Sequence, residues 1–130
     1  MKTALLVLEN PVVRLQMLHL LGRHGWWVDA ANRVEWALAL LDQEPADVVL
    51  IDWQVGAGSG LAVLHAIKTN ARWRCVPVVL AHPGLSPGER DRVFALGVND
   101  FLSEPFTAEA ALRRLDRWVL DHFSPLRQNR

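Results

Sequence analysis

A chain of 130 residues, 51% hydrophobic and 22% charged, holds enough apolar material for one packed core and too much for a disordered segment. Fourteen Lys and Arg balance fourteen Asp and Glu, so charge makes no case for direct nucleic-acid binding or an anionic membrane surface. The lone Cys75 excludes an internal disulfide and reads as a small buried apolar residue in a reducing compartment.

The elements alternate regularly. Residues 3–8 form a continuous apolar run, the pattern of a strand buried on both faces. Met1-Lys2-Thr3 leads straight into it, without the core and cleavage site of a signal peptide. Asn10 can cap a helix with Pro11 at its first position, where the missing N–H costs nothing. That helix carries Val13, Met17, Leu18 and Leu21 and stops at Gly25. Trp26–Ala30 is a short second strand. Asn32 with Glu35 has the spacing of a capping box, opening a helix through Ala37, Leu38 and Leu41 that Pro45 closes. Asp47–Asp52 is the central strand, followed by a turn rich in glycine at Gly56, Gly58 and Gly60 and a helix bearing Leu61, Leu64 and Ile67 on one face. Val76–Ala81 is a fourth strand. Ser86, Pro87 and Glu89 start a helix that Gly97 ends; Val98–Leu102 is a fifth strand; Thr107 caps a last helix with Leu112, Leu115 and Val119. The expected domain covers residues 1–123, with 124–130 a tail or the start of a linker. No apolar run approaches the roughly 20 residues that span a bilayer, so no membrane contact and a cytoplasmic location are expected.

Five strand-then-helix units imply a parallel sheet covered by helices on both faces, because parallel strands need crossover connections. In such a sheet, chemistry gathers beyond the C-terminal strand ends. Glu9, Asp52, His82 and Glu104 each stand there.

At this point the chain resembles the receiver domains of bacterial response regulators, over about residues 3–122. Four segments in order carry the resemblance: Glu9-Asn10-Pro11-Val12-Val13-Arg14, Asp47 to Leu61 with Gly60-Leu61 eight residues after Asp52, Pro77-Val78-Val79-Leu80, and Gly97 to Phe106. The resemblance implies a doubly wound (βα)5 flavodoxin-like fold with a five-stranded parallel sheet of order 2-1-3-4-5. It also implies a signalling module rather than an enzyme. The family reaction moves a phosphoryl group from a kinase phosphohistidine to an aspartate, with Mg²⁺ offsetting the charge.

Carried onto this sequence, Asp52 matches the phosphoacceptor; on residue chemistry alone it is equally a capping or solvated aspartate. The family's acidic pair falls on Leu8 and Glu9. Leu8 cannot bind a metal, so Glu9, Asp52 and the carbonyl of Gln54 are expected to hold Mg²⁺ only weakly. Glu9 also reads as an exposed acid stabilised by a helix N-terminus. His82 takes the position of the hydroxyl residue, and is otherwise a loop histidine on the surface. Glu104 takes the position of the lysine and reverses its charge. At ~4 Å and an effective dielectric of ~20, each unit-charge pair is worth about 4 kcal/mol, screened further by water. Three carboxylates without a lysine need compensation, and a protonated His82 paired with Glu104 or Asp52 would supply it. Glu104-Pro105 matches a bond that is often cis in the family.

Phe101 falls on the family's aromatic switch position and reads equally as core. Most of the six tryptophans should be core or half-buried. Trp118 with Leu115 and Phe123 forms a candidate exposed apolar strip, and Arg90, Arg92, Asp100 and Arg117 lie where family dimers place ion pairs; the bland alternative is a solvated charged face. The leading reading is an atypical receiver acting through protein–protein contacts, with a histidine kinase or other signalling protein as partner and a homodimer through helix 4, strand 5 and helix 5. The alternative is a working phosphoacceptor modified on Asp52 by a histidine kinase or a small phosphodonor. An enzyme or nucleotide-binding protein is disfavoured, since Gly56-Ala57-Gly58-Ser59-Gly60 is neither a P-loop nor a dinucleotide fingerprint and no His and Cys pairs suggest zinc.

Overall fold

The computed structural model describes the backbone of residues 1–122 and side chains through 119. The expected tail, and the Phe123 end of the proposed apolar strip, lie outside the described residues. Five strands form one parallel sheet: β1 (Thr3–Val7), β2 (Trp27–Ala31), β3 (Val48–Asp52), β4 (Val78–His82) and β5 (Asp100–Ser103), in the order β2-β1-β3-β4-β5. The helices between and after them are α1 (Pro11–Arg23), α2 (Val34–Gln43), α3 (Gly60–Lys68), α4 (Pro87–Ala95) and α5 (Ala108–His122). This is the expected fold.

Strand periodicity builds two cores. Because successive strand residues point to opposite faces, Leu5, Val7, Val49, Ile51, Val78 and Leu80 meet Ala37, Leu41, Val63, Ile67 and Val93 of α2, α3 and α4. Ala4, Leu6, Val48, Leu50 and Val79 turn the other way, onto Met17 and Leu21 of α1 and Leu112, Leu115 and Val119 of α5.

The helix starts follow their sequence signals in three cases. Asn10 Oδ1 accepts from the N–H groups of Val12 and Val13 at 2.9 and 3.2 Å, ahead of Pro11. Ser86 and Glu89 form a reciprocal capping box, and Thr107 Oγ1 accepts from Ala110 N–H. We expect Asn10→Ala to cost about 1 kcal/mol in urea unfolding with an unchanged slope, because two helix donors lose their partner.

The Asn32–Glu35 box does not form. Strand β2 runs on to Ala31, so α2 begins at Val34 with Arg33 as its cap residue and no side-chain cap bond. Asn32 then lies one position too early to cap. The fifth strand starts at Asp100 rather than Val98; just before it, Asn99 donates its N–H to Val78 O at 2.9 Å, while its Oδ1 accepts from Val78 N–H at 2.8 Å and from Lys68 Nζ at 3.1 Å. Cys75 is exposed, not buried, since it sits in the surface turn between α3 and β4. Of the tryptophans, Trp26 and Trp73 are buried and Trp53 and Trp118 half-buried, while Trp27 and Trp36 face solvent.

The glycine-rich turn is a small antiparallel hairpin pairing Gln54 with Ser59 and Val55 with Gly58. Gly60 returns the chain to the sheet, donating its N–H to Trp53 O at 2.9 Å. A Cβ at Gly60 would overlap the carbonyl oxygen of Asp52 and press on Ile51 Cγ2, so the end of β3 and the start of α3 can pack this closely only through glycine.

Candidate functional site

At the C-terminal edge of the sheet, Glu9, Asp52, Gln54 and Glu104 open onto one cleft of about 770 Å³, walled by Pro11, Val13, Trp53, Pro83, Pro105 and Phe106. Strand parity explains who faces it. Val48 and Leu50 point toward α1 and α5, so Asp52, the next residue of that set, leans the same way. Its Oδ2 accepts the N–H of Glu9 at 2.7 Å. Beyond β5, the N–H of Glu104 donates to His82 O at 2.8 Å, and the Glu104–Pro105 bond is cis, as expected.

Asp52 is held well above the usual carboxylate range, at about 7. Burial is the largest cause. The Glu9 N–H opposes it by favouring the anion, while the hydrogen bond to Glu104 and the charges of Glu104 and Glu9 raise it further. A carboxyl buried beside two other carboxyl groups favours its protonated form. No Lys or Arg lines the cleft among the described residues. The guanidinium of Arg14 is turned to backbone carbonyls, at 2.8 Å from Leu8 O and 3.4 Å from Glu9 O.

His82 is not the compensating cation. The same parity that sends Val78 and Leu80 toward α2, α3 and α4 sends His82 there too, away from Asp52. It is 3% exposed, is the last residue of β4 rather than a loop residue, and has no hydrogen-bond partner on either ring nitrogen. Its ring meets Phe101 edge-on, with centroids 5.7 Å apart, and Arg90 lies over the Phe101 ring at 4.8 Å. Burial, then the Arg90 charge, lower its pKa, against a smaller opposing effect of Glu104. The raised pKa of Asp52, rather than an imidazolium, lightens the negative charge of the cleft. Alternation along residues 78–82 could have shown this in the sequence.

The donor set fits Mg²⁺ poorly. The ion asks for near-octahedral oxygen ligation, yet Leu8 is fully buried and offers none. One Asp52 oxygen already holds the Glu9 N–H, and among the described residues no three His, Cys, Asp or Glu side chains converge to hold a metal.

The apolar strip and part of the dimer ion-pair set are also revised. Leu115 is buried, and Trp118 is half-buried with its Nε1–H donating to Asp100 Oδ2 at 2.9 Å. Asp100 Oδ1 takes Arg114 at 2.8 Å, so this carboxylate is satisfied within the chain and its pKa is lowered. Residues 114 and 118 are one helical turn apart and reach the same side chain; the sequence reading missed Arg114. Phe101 is buried, and Arg117 is exposed on α5. Among the described residues no helix is long and apolar enough to cross a membrane.

Known proteins agree with this geometry. The family model of the response regulator receiver domain matches residues 4–116. The chain is 27% identical over 127 residues to the phosphate regulon transcriptional regulatory protein PhoB of Klebsiella pneumoniae, covering 97% of this chain and 55% of that protein. It is likewise 27% identical over 116 residues to the transcriptional regulatory protein GltR of Pseudomonas aeruginosa, covering 88% and 47%. The chain thus spans about half the length of the curated relatives it matches. The chemotaxis protein CheY4 of Vibrio cholerae superposes with a TM-score of 0.83 at 25% identity, covering 90% of this chain and 98% of that one. The receiver domain of the sensor histidine kinase PA1611 from Pseudomonas aeruginosa, solved with a magnesium ion coordinated in its active-site cleft, gives 0.79 at 25% identity, covering 91% and 97%. A five-stranded sheet of this order, an aspartate at the end of its central strand and a family match over most of the chain leave one assignment: the chain belongs to the response regulator receiver domain family of two-component systems.

Proposed function

We propose that this is an atypical receiver, signalling mainly through protein–protein contacts with weak or absent phosphorylation of Asp52. The observation that carries the reading is a cleft lined by Glu9, Asp52 and Glu104 with no Lys or Arg lining it among the described residues. A phosphoryl group on Asp52 would bring a charge near −2 beside Glu104. Each pair of like charges at ~4 Å costs about 4 kcal/mol at an effective dielectric of ~20, before solvent screening. His82 offers no hydroxyl to the phosphoryl oxygens and faces the other side of the sheet. The partner is a histidine kinase or another signalling protein of the cytoplasm, and Arg90, Phe101 and Arg117 belong to the α4–β5–α5 face through which a homodimer would form.

The test is incubation with acetyl phosphate and Mg²⁺ followed by intact-mass measurement. We expect no stable +80 Da adduct. Stoichiometric adduct that disappears in Asp52→Asn establishes the opposite reading, a working phosphoacceptor. That second reading draws on one feature: Asp52 keeps its place in an open cleft, positioned by the Glu9 N–H. In it, an Asp52 oxygen attacks phosphorus as the P–N bond of a phosphohistidine breaks and its electron pair returns to the imidazole. Only the carboxylate can attack, so any residual rate should climb with pH through about 7.

A further inference from the structure

Trp36 is 49% exposed in the first turn of α2, where a surface helix ordinarily turns a polar residue outward. Two depressions are both lined by Arg33, Glu35 and Trp36, so the indole stands as a ridge where they meet. The larger, of about 670 Å³, is closed on its other side by the hairpin residues Val55 to Gly58. Gly56 and Gly58 put no side chain into it. A Cβ at Gly58 would come within 3.1 Å of Val34 Cγ2, so the hairpin lies close against α2 and walls the groove with backbone. The charges beside the indole are exposed, and among the described residues neither Arg33 nor Glu35 makes an ion pair. With the Asn32–Glu35 box absent, the N–H groups that open α2 have no side-chain acceptor either.

An exposed indole, a bare groove beside it, one cation and one anion make a surface that complements itself. We propose that this patch joins two copies of the chain about a twofold axis, each Trp36 lying in the other copy's groove and each Arg33 meeting the partner's Glu35. A twofold contact sets a patch against itself, so the ridge meets the groove and the ion pair forms twice. The incoming carboxylate also lies over the uncapped start of α2, where free N–H groups and the helix dipole favour an anion. A partner of one charge sign would pair Arg33 or Glu35 and leave the other covered without a counter-ion, which is destabilising. Strand β2, which leads into α2, is the edge of the sheet opposite β5, so this contact is separate from the α4–β5–α5 face. Gln54, which opens the hairpin, lines the acid cleft, so the contact adjoins that site through one short turn. The inference does not depend on whether Asp52 accepts phosphate.

Sedimentation velocity of the full chain from about 10 µM to about 1 mM tests this, since so small a contact belongs to the weak, transient class. We expect a monomer–dimer equilibrium within that range. Trp36→Ala should weaken it at least tenfold, as truncation of a central aromatic anchor does. Arg33→Glu and Glu35→Arg should each weaken it to a similar degree, because like charges then face one another across the axis. An equimolar mixture of these two variants should form a heterodimer within about threefold of the parent's affinity, since each charge again meets its opposite. A merely structural effect of either substitution would not be rescued by mixing. The same pattern is expected in an Arg117→Glu background, which weakens the α4–β5–α5 contact and so isolates this one. A chain that stays monomeric throughout, an association indifferent to Trp36→Ala, or single variants that fail to associate when mixed overturns the proposal.

Discussion

Asp52→Asn should raise the melting temperature at pH 8 and leave it nearly unchanged at pH 4. The native pKa of Asp52 is about 7, against 3.8 for a free aspartate. For an acid shifted upward, the stability it contributes is complete below 3.8 and is lost as pH rises through about 7, because the unfolded chain releases the proton first. Taken at face value the gap is worth about 4 kcal/mol. Asp52 is partly open to the cleft, so solvent screening reduces this to about 2 kcal/mol. Asparagine keeps an acceptor for the Glu9 N–H and removes the charge. The expected gain at pH 8 is therefore about 2 kcal/mol, roughly 8 °C for a domain of this size. Glu104→Gln should shift stability the same way by less, and the double variant should gain less than the sum, since the Glu104 charge acts through the raised pKa of Asp52. A gain of equal size at pH 4 and pH 8, or none at pH 8, would refute the raised pKa of Asp52.

The stability of the acid pair bears on the signalling question. A cleft that stores repulsion at neutral pH is relieved by protonation, by amidation or by a cation from outside. Phosphorylation does none of these. It adds charge where the cleft has no lining Lys or Arg among the described residues, which is the ground of the proposed reading.

The sequence made the sheet legible because each buried strand is an uninterrupted apolar run, and Pro11, Pro87 and Gly97 mark helix limits through backbone chemistry that tertiary contacts rarely override. The Asn32 cap does not form because helix starts depend on where the preceding strand lets go, and β2 ends at Ala31, one residue beyond the expected Ala30. Within the site, Asp52, Glu9 and Glu104 were placed together correctly, since the edge of a parallel sheet gathers whatever follows its strands. What failed was the direction of His82. Its neighbours at positions 78 and 80 are core residues of the α2–α3–α4 face, and the even spacing carries position 82 to the same side. Arg14, Arg114 and the Arg90–Phe101–His82 stack were not legible, because a long cationic side chain can reach several partners and only the packed fold selects one.

His82→Leu gives the opposite pH signature. Leucine has a similar volume and no nitrogens to satisfy. A buried polar group without a partner costs about 1–3 kcal/mol, and replacing it with an apolar group of like shape removes that cost. His82 is covered by only a thin layer at the sheet edge, which favours the lower half of the range, about 1–2 kcal/mol of added stability at pH 8. Below pH 6.5 the gain should grow. A histidine whose native pKa is lowered lends its full stability above the unfolded value of 6.5 and loses it as pH falls through the native one, since the unfolded chain takes up the proton first. The leucine variant has nothing to protonate. Protonation in the native state would set an imidazolium beside Phe101, whose ring already carries the Arg90 guanidinium, so the cost of acid falls on the packing of α4 against the sheet. Urea unfolding of both proteins from pH 8 to pH 5 measures this directly. A leucine variant less stable than the parent at pH 8, or a difference that shrinks on acidification, would mean that His82 has a polar partner after all.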